Sequence, residues 1–173
     1  MNGSAVNNAV IARFAIGVAL FCGSATNSFA QATASTLVGV WAVTSTPRSC
    51  ATTAPLGPPS RSLVTYHQDG TVVESIGLVL FAPDQRTIGH GVWTHAGGST
   101  YSERTATMIV FDTPPNTPPG SPGFPAGWVV AGITNTLTDA DHFTSTSTVN
   151  FYDINRQPNR PPTCATRVGE RFK

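Results

Sequence analysis

Beyond residue 36 the chain shows no apolar spacing of the helical kind sustained over three turns. β-branched and aromatic residues come instead in runs broken by Gly, Pro, Asn and Asp, which is the pattern of strands and turns. Eight runs are predicted as strands: 37–45, 62–68, 71–81, 86–95, 100–112, 127–137, 142–154 and 164–172.

The connections arrange them. The second and third runs meet across Asp69-Gly70, a hairpin signal because both residue types tolerate positive φ. The fourth and fifth meet at Gly97-Gly98, and the sixth and seventh around Thr138-Asp139-Ala140-Asp141. The connections 46–61, 113–126 and 155–163 are long, and that around 83–85 is intermediate. Alternating short and long connections predict antiparallel neighbours with every long loop at one end. Eight such strands suit a closed up-and-down barrel, which leaves no sheet edge to protect. In a closed barrel the last strand pairs with the first. Cys50 follows the first strand and Cys164 opens the eighth, so a bridge between them would lock the seam at the long-loop end.

The first thirty residues read as an export segment. Arg13 is the only charge ahead of Arg48 and is followed by the apolar run FAIGVALFC over 14–22, too short to cross a bilayer as a helix. Ser28 and Ala30 stand where signal peptidase needs small side chains, so cleavage is expected after Ala30, leaving Gln31 as the mature N-terminus. Domain 1–30 is therefore a signal peptide and 31–173 the β-barrel domain. Cys22 ends the apolar run, but Phe21 fills the place where a lipobox needs a small residue. Location in the periplasm or outside the cell is expected. Cys50 and Cys164, the even pair left after cleavage, then point to a disulfide worth on the order of 4 kcal/mol in the chain-entropy picture.

Charge excludes one class of partner. The mature chain is formally neutral and carries no basic stripe, so nucleic acid is not expected. The segment 113–126, TPPNTPPGSPGFPA, cannot continue a sheet because proline offers no N–H. It reads as a solvated loop, or as a flap over the barrel mouth with Phe124 as its apolar contact.

Gly39-Val40-Trp41 in the first strand resembles the opening GxW signature of the lipocalin and wider calycin group. The resemblance implies that Trp41 packs at the closed end of the barrel under an arginine of the last strand. Arg167 and Arg171 are the candidates, and the register set by a Cys50–Cys164 bridge favours Arg171. The TDY-type motif and the helix before the last segment of typical lipocalins are missing, and Gly91-Val92-Trp93 repeats the same tripeptide. The match is lipocalin-like.

Candidate chemistry is sparse. His90 and His95 fall on opposite faces of one strand, and His67 and His142 lie near the short turns, so no metal site and no cofactor is expected. Glu74 and Glu103 are the acids well inside predicted strands. They face outward beside basic residues such as Arg104, the commoner arrangement, or they face the lumen and need a buried partner. No GxSxG serine is present. Trp41, Tyr66, Trp93, Tyr101 and Trp128 supply bulk with one polar handle each, suited to lining a ligand cavity or to filling a core. With Glu103 they form the expected ligand-binding set.

The expected function is binding of a small apolar or amphipathic molecule by an exported, non-enzymatic barrel. One alternative is a barrel enzyme similar to allene oxide cyclase or other cyclases and isomerases, using a lumen acid such as Glu103. The other is an eight-stranded outer-membrane barrel. Neither face of the seventh strand is continuously apolar, so stable membrane insertion is not expected.

Overall fold

The computed structural model describes residues 36–77, 86–111 and 124–173. The expected signal peptide and the proline-rich loop lie outside these, apart from the loop's last residues. The described residues form eight strands: β1 Gly39–Arg48, β2 Ser60–Tyr66, β3 Thr71–Gly77, β4 Gly89–Gly97, β5 Thr100–Phe111, β6 Phe124–Leu137, β7 His142–Tyr152 and β8 Pro158–Arg171. They pair in sequence order, all antiparallel, and close into one barrel.

The seam is β1 against β8, running from Trp41 opposite Arg171 to Arg48 opposite Cys164. Cys164 of that last pair is disulfide-bonded to Cys50, two residues past Arg48, with Cα atoms 4.9 Å apart. The closure that the cysteine positions demanded is thus present.

The strand bounds differ from expectation where proline is involved. β8 begins at Pro158 and passes through Pro161 and Pro162. Before Cys164 it pairs with β7 alone, because its contact with β1 ends at Arg48. One side of that stretch needs no ladder hydrogen bonds, so prolines fit. β1 likewise extends past Pro47 to Arg48. The β2–β3 connection spans His67–Gly70, with His67 N–H donating to Thr71 O at 2.9 Å. Only Gly70 has positive φ there, +85°. Asp69 serves by accepting from the Thr71 hydroxyl at 2.6 Å and from its N–H at 2.9 Å, which holds its carboxyl below the usual range.

Short turns β2–β3, β4–β5 and β6–β7 gather at one end and the long connections at the other. The short-turn end is packed solid. Leu37, Trp41, Val43, Val64, Tyr66, Val72, Tyr101, Leu137 and Phe143 form the buried core cluster, with Trp93 against it. Trp41 meets Phe143 edge-on at 5.0 Å between centroids, and its Nε1–H donates to Leu37 O at 2.7 Å.

Arg171, not Arg167, covers this tryptophan: its guanidinium stands 4.3 Å from the Trp41 ring centroid. It also donates to the carbonyls of Thr36, Val38 and Ala140, tying the N-terminal approach and the β6–β7 turn to the last strand. Gly39 permits the arrangement. Its φ is +130°, and a Cβ there would lie 2.6 Å from Arg171 Nη1.

Candidate functional site

Strand alternation above the packed floor turns a different set of side chains inward. On β5 the buried residues are Tyr101, Glu103, Thr105, Thr107 and Ile109. The register aligns Ser45, Arg167, Ser145, Asn135 and Tyr101 as one inward row across five strands. Glu74 on β3 reaches the same level. Glu74, Glu103 and Arg167 are 5 %, 2 % and 4 % exposed. The outward placement of the two glutamates, the commoner one for strand acids, is therefore corrected: both face the lumen.

Their partner is Arg167. Its Nη2 lies 2.7 Å from Glu74 Oε1, and its Nη1 lies 3.7 Å from Glu103 Oε1. Ser62 Oγ–H donates to Glu74 Oε1 at 3.1 Å. Glu103 Oε2 accepts from Tyr66 Oη–H at 2.7 Å and from Asn135 Nδ2 at 2.8 Å. Ser145 Oγ–H donates to Asn135 Oδ1 at 2.5 Å, which fixes the amide with its NH2 toward Glu103. Burial pulls the Arg167 guanidinium down, but Glu74 and Glu103 outweigh it and hold it above its ordinary value. Burial and the neighbouring Glu103 carboxylate push the Tyr66 phenol well up, so it remains a donor.

Among the described residues three buried side-chain polar atoms have no hydrogen-bond partner: Glu103 Oε1, Arg167 Nε and Arg86 Nε. The 3.7 Å approach of Arg167 to Glu103 Oε1 is an ion pair beyond hydrogen-bond length. Arg86 precedes β4 and is bridged to β5 at Ile109. Its Nη2 donates to the Thr107 hydroxyl at 3.0 Å, and burial lowers its pKa from the ordinary guanidinium value.

At the long-loop rim a cavity of about 280 Å³ is lined by residues that include Ile109, Trp128, Phe151, Tyr152, Asn159 and Arg160. Arg160 stacks on Phe151, 3.4 Å from the ring centroid. A more open groove of about 550 Å³ runs beside the disulfide, past Arg48, Thr134, Thr146, Thr148 and Thr166.

The expected ligand-binding residues thus separate into three places. Trp41, Tyr66 and Tyr101 belong to the packed core cluster, and Trp93 packs against it with Nε1–H donating to His67 O at 3.0 Å. Tyr66 also reaches up to Glu103. Trp128 pairs with Met108 and Tyr152, on the side opposite the buried Val129, and lines the rim cavity. Spacing alone did not reveal Arg167, Asn135 or Arg86. The signal was parity on β8: Arg167, Gly169 and Arg171 share a face, so a register that sends Arg171 to Trp41 also sends Arg167 inward.

His90 and His95 do face opposite sides: His90 pairs with Ala106, and His95 is opposite Tyr101, its ring 4.9 Å from the tyrosine's. His142 at the short-turn end bonds Asp139 at 2.9 Å. Among the described residues no three His, Cys, Asp or Glu side chains come together as a metal site would require. No protein-family model matches the chain, and no curated protein matches it.

Proposed function

We propose that the protein is an exported, lipocalin-like barrel that binds a small amphipathic molecule entering between the long loops. The observation that carries this reading is the buried cluster of Glu74, Glu103, Arg167, Tyr66 and Asn135, set between a solid floor and a cavity at the rim. Buried ion pairs are poor stabilisers, because the desolvation of each ion offsets its attraction to the other. A sequence that keeps such a cluster, with polar atoms unsatisfied, has a use for polarity inside the barrel. A polar interior beneath a rim cavity with aromatic walls matches a ligand with two unlike ends.

Export agrees with the disulfide at the seam, since such bridges persist in oxidising compartments. Outward positions on β5, β6 and β7 include Ser102, Arg104, Thr134, Thr144 and Thr146, all exposed. An outer surface of this kind favours water over lipid. The Trp41–Arg171 stack at the closed end supports the kinship with lipocalin-like barrels.

The test is to purify the protein through its own export route and analyse it by mass spectrometry. A small molecule released on denaturation, one that rebinds the emptied barrel, is the expected result. An empty barrel that also rejects panels of lipids and haem would remove the reading.

A specific observation favours one second reading, a barrel cyclase or isomerase. Glu103 has one oxygen held by two donors and the other without a hydrogen bond, a suitable geometry for receiving a proton. The substrate would have to reach Glu103 Oε1. Turnover of a released ligand, lost in Glu103→Gln with binding retained, would select this alternative.

A further inference from the structure

β6 carries a glycine that neither backbone geometry nor packing requires. Gly132 sits in mid-strand between Ala131 and Ile133, paired with Arg104 on β5 and Thr148 on β7 without a bulge. Its φ lies outside the left-handed region, and a Cβ built there would meet nothing within 4 Å. A glycine inside a strand weakens it, and it is found where the ladder bulges, where another backbone crowds in or where a ligand approaches. The first two are absent at Gly132. Ile133 beside it is buried, so Gly132 faces outward, and it lines the groove of about 550 Å³ beside the disulfide.

The chemistry of that wall is one-sided. The outward row through Gly132 runs from Arg104 through Thr148 and Cys164 to Arg48. The next row toward the short-turn end is Thr134, Thr146, Thr166 and Thr46. Strand spacing puts neighbours in a row about 4.8 Å apart. Ser49 and Thr53 add hydroxyls from the β1–β2 connection, which the Cys50–Cys164 bridge holds against β8. Arg48 is positioned by its Nε–H on the Thr166 hydroxyl at 2.8 Å and its Nη1–H on Thr53 O at 2.9 Å, which leaves Nη2 without a partner among the described residues. No acid occupies an outward position on the described parts of β5, β6 or β7, and on β8 the outward acid is Glu170, at the short-turn end. No aromatic ring is among the groove's described lining residues.

We infer that this outer groove binds a short stretch of an acidic polysaccharide, a polyuronate, whose hydroxyls meet those of the threonines and serines and whose carboxylates meet Arg48 and Arg104. Each hydroxyl of the wall both donates and accepts, as a sugar hydroxyl does, and the threonine methyl groups offer an apolar surface to the C–H faces of the rings. A carboxylate presents the planar pair of acceptors that fits a guanidinium. A single-stranded nucleic acid would bring phosphates but would also call for aromatic surfaces under its bases, which this groove lacks. The site lies on the outside of the barrel and is independent of the small-molecule reading above.

The probes are trigalacturonate and its methyl ester, nearly equal in shape and unlike in charge, followed at low salt through the amide resonances of Gly132, Thr148 and Cys164 in the exported protein. The acid is expected to shift these amides and to bind roughly tenfold more tightly than the ester. Gly132→Val fills the groove with a residue suited to a strand, so its melting temperature should hold or rise while affinity for the acid falls about tenfold or more. Arg48→Gln combined with Arg104→Gln should bring the acid to within about twofold of the ester. If that pair fails to fold, Gly132→Val and the ester still decide. Undiminished binding by Gly132→Val, equal affinity for acid and ester, or no shift at these amides overturns the inference. Displacement of the acid by oligothymidylate at equal concentration overturns the saccharide assignment.

Discussion

The two halves of this barrel are built from the same alternating strands and filled by opposite chemistry. At the short-turn end, β1, β2, β5 and β7 contribute Trp41, Tyr66, Tyr101 and Phe143, and the interior is a closed aromatic plug. Two residues farther along β5 and β7 the inward positions become Glu103 and Ser145, and on β8 the step from Gly169 leads to Arg167, while Val43 and Val64 on β1 and β2 still belong to the plug. The plug gains stability by removing apolar surface from water, while the layer above it gives up stability to keep ions dry. A small domain tolerates the second because it has the first, together with a crosslink between residues 114 apart in sequence.

That contrast can be broken from either side. Trp41→Ala should have the largest effect, a loss of about 4–5 kcal/mol, because a fully buried indole leaves a cavity its neighbours do not fill. Urea unfolding measures it, and a loss of under about 1 kcal/mol would mean that the floor is not the stabilising half. Next, Arg167→Met should cost about 3 kcal/mol by leaving two buried carboxylates without their cation. Adding Glu74→Leu to it should restore part of that loss, since one of the two uncompensated carboxylates is removed while Glu103 remains. A double variant no better than the single one would show that the cluster stabilises in its own right.

A smaller effect is expected for Tyr66→Phe, about 1–2 kcal/mol at neutral pH, from a Glu103 oxygen deprived of one donor. It carries a pH signature with a definite sign. Tyr66 holds its proton more tightly folded than unfolded, so its contribution is intact below the ordinary phenol value of about 10 and lost as pH rises toward the higher folded one. The wild type should therefore lose stability above that pH more steeply than Tyr66→Phe. Melting temperatures of the pair across pH 8–11 check this, and parallel curves would contradict it.

The floor was far more legible in the sequence than the layer above it. Gly39, Trp41, Arg171 and the two cysteines each carry a local signature, and any one of them constrains register. The cluster has no such signature. On β5 and β7, inward Thr105, Thr107, Ser145 and Ser147 alternate with outward Ser102, Thr144 and Thr146, so polarity does not distinguish the two faces. Glu74 and Glu103 come to share Arg167 only through a closure that brings positions 93 residues apart into contact. Trp128 shows the reverse case: aromatic bulk suggested an interior role, while pairing opposite Met108 and Tyr152 sets it on the other side of β6, against the rim.

Because the first strand can be stapled only to the last, the architecture also dictates an order of events. No contact made early in synthesis substitutes for the Arg48–Cys164 pairing, and the bridge from Cys50 waits on a residue 114 positions farther along the chain. A chain with this topology folds as a whole and slowly, as non-local pairings require. The residue that completes the lock is thus made only after seven of the eight strands it holds together.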